Sequence, residues 1–468
     1  MSVPSNIERL LEGYKVPYSV TEMAGVSPQT KGGLVIELKT YNAAHAIVLI
    51  NANDEKVIAI IRNNTLLDIQ KINAIFGNEH EPLTGQALDD FMQQCGVSAV
   101  PALPALNNLP TVVDKGLLQY ETVYLDIGVG SQYVQLEKKN FRQLIGEAKV
   151  ETIVTPLSSL EAPKNSADDI TNIEKSVSLF TEMRIKQRLD DTLEFPPLPA
   201  TADKIIRLRV NPHADISDLT DIVELDASLS AQVVSWAASP YYSAPGAIKS
   251  IHDAIVRVLG FDMVLNLALG LALGNTLKMP KSGPHGCMPY FQQSVYVAAA
   301  TEALITCIPR EHRPSFGTAY LAGLLNNFGY LIIAEVFTNQ FEAICRHIDA
   351  NPYASVQSVE QHIIGVDRNQ LASWLMGYWD MPETICNALR HQSDPLYDGE
   401  DCEYSLLLYL SNKLLQERGL VMGASSGPID QSVFERLHID PKMANEALDT
   451  LLESREELLV ISKQMSGQ

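Results

Sequence analysis

Clustered positive charge is what this chain most lacks. Its 468 residues carry 35 Lys and Arg against 56 Asp and Glu, a formal net charge of −21. Neutralising nucleic-acid phosphates or an anionic membrane surface requires grouped cations. With no basic cluster in the sequence, binding to tRNA or to a membrane is not expected. Cysteine is scarce as well: Cys95, Cys287, Cys307, Cys345, Cys386 and Cys402 form no CxxC, and their spacing fits neither a zinc site nor a disulfide framework. Such isolated thiols read as small buried residues in a reducing compartment. Long apolar runs are missing too. The stretch "VLNLALGLALG" (Val264–Gly274) is about half of the ~20 residues a membrane span needs. The N-terminus has no basic stretch followed by an apolar one, so no signal peptide is expected. A cytoplasmic protein is the resulting expectation. Hydrophobic residues at 46% and charged residues at 19% are ordinary globular values, and the length predicts two or three domains.

The first third reads differently from the rest. Over 34–62, "AIVLI" and "KVIAIIR" flank "NAND", two β-branched runs around a turn. "PTVVD" and "TVYLDIGVGSQYVQLE" predict further strands, the last two joined at "GVG". "LLDIQKINAIFG" and "ALDDFMQQCG" have helical spacing and end at Gly. From Leu157 to about Leu189 the chain is polar, then loosely periodic at Ile170, Ile173, Val177, Leu179 and Met183: a linker and a connecting helix. "EFPPLPA" breaks any helix. Beyond it the pattern is helical, with Ser217, Ser250 and Asp367 as candidate N-caps, and about ten helices are predicted between 200 and 460. No internal repeat is visible.

One stretch of that region is chemically odd. "LLNNFGYL" (Leu324–Leu331) sets the amides Asn326 and Asn327 in an apolar run, where an unpartnered buried amide costs about 1–3 kcal/mol. Around it, "FPPLPATADKIIRL", "DISDLTDIVELDASLSAQVVSWAASPYY", "AYLAGLLNNFGYLIIAE" and "VEQHIIGVDRNQLASWLMGYWDMPETICNALRHQSDP" follow one another in an order that resembles the HDOD domain, a branch of the HD phosphohydrolase superfamily. The superfamily pattern here is "GLLHDIGKL", whose His-Asp pair binds a divalent metal. The resemblance puts Asn326-Asn327 at that pair, Gln293 and Arg368 at two further ligand histidines, and His391-Gln392 near the closing pair. Neutral amides replace neither the imidazole nor the carboxylate as metal donors. The expectation is therefore no metal and no cofactor, with the amides satisfied at a helix junction and Gly329 making the turn. A rebuilt centre from His362, His391 and Asp367 is the alternative.

The first 156 residues resemble the YbaK-like aminoacyl-tRNA deacylases, also found as the editing insertion of prolyl-tRNA synthetase. "IERLLEGYKVPYSVTEM", "AAHAIVLI", "CGVSAVPALPALNNLPTVVDKGLL" and "DIGVGSQYVQLE" carry the likeness. The family's functional Lys corresponds to His45, a weaker and largely neutral donor. Gly96 and Ser98 remain in the altered loop "CGVSAVPAL", and Asp114, Gly128 and Gly130 complete the candidate pocket.

The expected fold is thus multidomain: an α+β YbaK-like domain (1–156), a linker and connecting helix (157–189), an all-α HDOD domain (190–400), and C-terminal helices packing on it (401–468). The expected function is non-catalytic regulation in bacterial signal transduction. The partner would be another protein, with a small ligand in the N-terminal pocket and a homodimer as further options. Deacylation using His45 and Asp114, or phosphohydrolysis at a rebuilt centre, is the alternative.

Overall fold

The computed structural model describes residues 5–22, 42–104, 109–130, 132–185, 198–242, 246–274, 276–421 and 429–465. The 189/190 boundary, most of "EFPPLPA" and the start of the 34–62 alternation lie outside these residues.

Ten strands follow the opening helix Ser5–Gly13: β1 (Ser19–Glu22), β2 (Ala43–Asn51), β3 (Lys56–Arg62), β4 (Thr65–Leu67), β5 (His80–Pro82), β6 (Thr111–Asp114), β7 (Thr122–Asp126), β8 (Gln132–Glu137), β9 (Lys149–Glu151) and β10 (Val154–Pro156). Eight form one mixed sheet in the order β1-β8-β7-β2-β3-β6-β9, with β5 on β2, while β4 and β10 pair separately. The predicted hairpin is β2–β3. Asn51 holds its turn: Oδ1 accepts the Asn53 and Glu55 N–H groups at 2.9 and 3.0 Å, and Asp54 takes a positive φ of 61°. Strand alternation then splits β2 between two cores. Ala44, Ala46 and Val48 pack with Phe91 and Phe141, whereas Ile47 and Leu49 pack with Ile61, Ile72 and, from the helical region, Ala350. On that face helix Ile69–Phe76 supplies much of the cover, and the second domain reaches it through Ala350.

The connecting helix is Asp169–Ile185. It docks on the helical domain through its first residue: Asp169 pairs with Arg390 and accepts Gln370 Nε2–H at 2.6 Å.

Sixteen α-helices lie between Ala200 and Met465 among the described residues, more than the ten predicted, because short breaks inside apolar stretches leave no trace in periodicity. Ser250 and Asp367 cap helices as expected, accepting the backbone N–H groups of Asp253 and Gln370, each at 3.0 Å. Ser217 does not. Asp215 is the cap, closing a capping box with Asp218, which places Ser217 inside helix Ile216–Glu224. The segment Phe316–Val336 is apolar and long enough to cross a membrane, yet most of it is buried inside the protein. It is also interrupted at Asn326-Asn327, where helix Phe316–Leu325 gives way to Phe328–Val336. Helices Cys402–Glu417, Pro441–Glu453 and Arg455–Met465 all pack against Tyr290–Thr306.

Candidate functional site

The junction of the two helices brings together Gln293, Asn326, Asn327, Arg368 and Gln392, five of the residues that the resemblance sets at ligand positions. Asn327 Nδ2 donates to Gln293 Oε1 at 3.3 Å, and Asn327 Oδ1 accepts from Arg368 Nη1 at 2.7 Å. Asn326 Nδ2 donates to Asn412 Oδ1 at 3.3 Å, and Gln392 Nε2 reaches the Asn326 carbonyl at 2.8 Å. All five of Gln293, Asn326, Asn327, Gln392 and Glu360 are buried. Glu360 is what makes the buried guanidinium tenable. Its Oε1 receives Arg368 Nε and Nη2, both at 2.6 Å, and its Oε2 receives the Arg368 backbone N–H at 2.9 Å. Burial pushes the Glu360 carboxyl upward, and the Arg368 charge opposes that shift. Tyr330, at the lysine position of the superfamily pattern, lies with its ring 5.4 Å from the guanidinium.

A divalent metal does not fit this donor set. The amides carry no charge, the one carboxylate is engaged by Arg368, and the guanidinium is itself a cation pointed at Asn327. Gly329 has a different role from the expected turn. It lies within the second helix, and a Cβ there would sit 1.9 Å from the Arg368 carbonyl oxygen. Only glycine lets the two backbones approach this closely.

The rebuilt centre is not assembled. Asp367 caps helix Arg368–Tyr378. His391 stacks on Tyr397 with centroids 3.8 Å apart. His362 faces Asp68 of the N-terminal domain instead, at 3.8 Å.

In the N-terminal domain, Gly96 ends helix Gly85–Cys95 with φ of 67°. The following loop folds onto the β7–β8 turn: the Gly128 carbonyl accepts the Ser98 N–H at 2.8 Å and its hydroxyl at 2.9 Å. A Cβ at Gly128 would meet the Ala99 carbonyl oxygen at 2.1 Å, so glycine is required. Gly130 has φ of 56° in the same turn. Asp126, which sequence reasoning missed, anchors that turn by accepting the Gly128 N–H at 2.7 Å. Burial raises its carboxyl to about 7.

His45 and Asp114 are held by separate partners. Asp114 pairs with Arg62 at 3.2 Å. His45 Nδ1 bonds Asn63 Oδ1 at 3.1 Å, and burial lowers its imidazole to about 4, so it is neutral at pH 7. Its ring lies 4.0 Å from that of Tyr353, which sits in the loop between helices Thr338–Ala350 and Val356–Ile364. The phenol of Tyr353 is pushed up by burial and then by the nearby Asp126 and Tyr133. A side chain of the helical domain therefore sits against the candidate pocket. Asn351, two residues earlier, fastens the same contact: Oδ1 accepts the Leu67 N–H at 2.6 Å and Nδ2 donates to the Leu67 carbonyl at 3.1 Å.

Comparison with known proteins matches this architecture. The HDOD domain model matches residues 195–395 and the aminoacyl-tRNA editing domain model matches 36–144. A crystal structure from Marinobacter aquaeolei, of a protein provisionally assigned to signal transduction, is 37% identical over 99% of this chain and 100% of its own, with a TM-score of 0.86. The chain belongs to the HDOD-domain proteins. Its HDOD domain follows an N-terminal editing-type domain. An HDOD protein of Geobacter sulfurreducens with unknown function is 20% identical, over 63% of this chain and 99% of its own, at a TM-score of 0.49. An uncharacterized Treponema pallidum protein is 23% identical over 217 residues, which is 44% of this chain but only 38% of that protein.

Sequence reasoning also missed Tyr353, Asn351 and Glu360. Glu360 left a faint signal, as a carboxylate in "SVEQHIIG" one helix before Arg368. Tyr353 and Asn351 left none, since each acts across the domain interface.

Proposed function

We propose that this HDOD protein is a non-catalytic regulator in bacterial signal transduction, working in the cytoplasm by binding another protein. The observation that carries the reading is the Arg368 guanidinium inside the HD-type junction, paired with Glu360 and bonded to Asn327. A hydrolytic HD centre needs an open, metal-loaded junction; here the chain supplies its own cation, and Asn327 is bonded to both Gln293 and Arg368, while Asn326 Oδ1 is buried with no partner among the described residues. The signal-transduction assignment of the Marinobacter relative supports the same reading. At the other domain, a neutral His45 under Tyr353 favours a pocket used for assembly or for a small ligand over one that orients an ester for hydrolysis.

The test is paired turnover. Purified full-length protein is incubated with mischarged prolyl-tRNA, and separately with phosphomonoesters and cyclic dinucleotides in the presence of Mn²⁺ or Fe²⁺. Background rates in both are expected. Release of amino acid that is lost in His45→Ala, or hydrolysis lost in Asn327→Ala, would overturn the reading.

A further inference from the structure

Where the two domains meet, three metal-type donors converge from three separate elements. Asp68 caps helix Ile69–Phe76 in the editing-type domain. His347 belongs to helix Thr338–Ala350 and His362 to helix Val356–Ile364 of the HDOD domain. One donor atom from each lies within 4.8 Å of the other two. None of the three belongs to the HD-type junction or to the pocket around His45.

We infer that Asp68, His347 and His362 form an interdomain site for a divalent transition metal of the zinc class. The donor set is two imidazoles and one carboxylate, which with a water makes the four-coordinate arrangement such an ion prefers, whereas magnesium and calcium favour all-oxygen sets. His362 Nε2 and Asp68 Oδ2 are 3.8 Å apart, close to the separation of two ligands on one tetrahedral ion. His347 is already oriented as a ligand. Its Nδ1 faces the Ala343 carbonyl at 2.8 Å, an acceptor only, so Nδ1 carries the proton and Nε2 presents its lone pair. That lone pair now meets only the Ile69 N–H, at a long 3.4 Å. Asp68 uses Oδ1 to cap Gln70 at 3.0 Å and turns Oδ2 toward His362, with Lys71 at 3.6 Å as a further neighbour. Binding would move Lys71 aside and draw the two domains onto one ion. The ion thus acts as a clamp on the interface that Asn351 and Tyr353 also hold.

The experiment uses chelator-treated full-length protein, titrated with Zn²⁺ by calorimetry and with Co²⁺ by visible absorption. Wild type is expected to take up one ion per chain with tetrahedral Co²⁺ bands and a raised melting temperature. His362→Ala and Asp68→Asn are expected to weaken that event at least tenfold and abolish the bands. His362 lies on the rim of the site, so its variant serves as the reference if His347→Ala fails to fold; the melting temperature of each metal-free variant is measured alongside. No stoichiometric uptake by the wild type, or uptake unchanged in His362→Ala, overturns the inference.

Discussion

Arg368 donates to Asn327 at 2.7 Å across two helices of the HDOD domain. The distance matters because Arg368 and Asn327 are two of the residues that the resemblance to the HD superfamily sets against its metal ligands. The buried charge is balanced by Glu360, which is fully buried. Removing one partner strands the other away from water, which typically costs about 3–5 kcal/mol. Arg368→Ala is therefore expected to lower stability by that order in denaturant titration. The double variant Arg368→Met/Glu360→Met should lose markedly less, because neither charge is left behind; equal losses would contradict the pairing.

Gly329→Ala tests the close approach of the helices. Alanine gains roughly 1 kcal/mol of helix propensity over glycine. The added carbon would lie 1.9 Å from a backbone carbonyl oxygen of Arg368, which cannot rotate away. Sterics should win, with a net loss of about 1–3 kcal/mol. Thermal melts decide the sign.

Asn351→Ala removes a side chain that satisfies both the N–H and the C=O of Leu67. Each buried group left unmade costs about 1–3 kcal/mol. The loss should concentrate at the interface, so hydrogen exchange should speed at β4 and at helix Thr338–Ala350 while the interior of helix Tyr290–Thr306 keeps its protection.

Two buried groups make stability depend on pH in opposite directions. The His45 imidazole, lowered to about 4 from 6.5, contributes stability present above 6.5 and lost as pH falls toward 4. That amounts to about 3 kcal/mol. The Asp126 carboxyl, raised to about 7 from 3.8, contributes stability present below 3.8 and lost as pH rises through 7. Wild type partly hides both effects. Subtracting the stability–pH curve of His45→Gln should expose a rising difference between pH 4 and 6.5, and that of Asp126→Asn a falling one between 4 and 7.

What could be read in advance followed sequence distance. The β2–β3 hairpin, the turn at Gly128–Gly130 and the caps at Ser250 and Asp367 are decided by neighbouring residues, and each was legible. The sequence also singled out Asn326, Asn327, Gln293 and Arg368, and these residues meet at one helix junction. The contents of the junction were legible only in part: Arg368 was foreseen as a misplaced cation, but its partner Glu360 was not. Contacts between domains left no local trace. The bond from Asn351 to Leu67 spans 284 residues of chain, and Tyr353 against His45 or His362 against Asp68 depends wholly on how two finished domains pack. The alternative of a rebuilt centre failed for that reason, as His362 turns outward to a partner no periodicity could reveal.

The HD-type junction is filled by side chains of the chain itself. Crystals of the full-length protein soaked in Mn²⁺ test it most directly, by anomalous scattering at the manganese edge. No anomalous peak is expected among Gln293, Asn326, Asn327 and Arg368, with Arg368 still bonded to Asn327 and Glu360. A peak coordinated there, with Arg368 displaced, would contradict it.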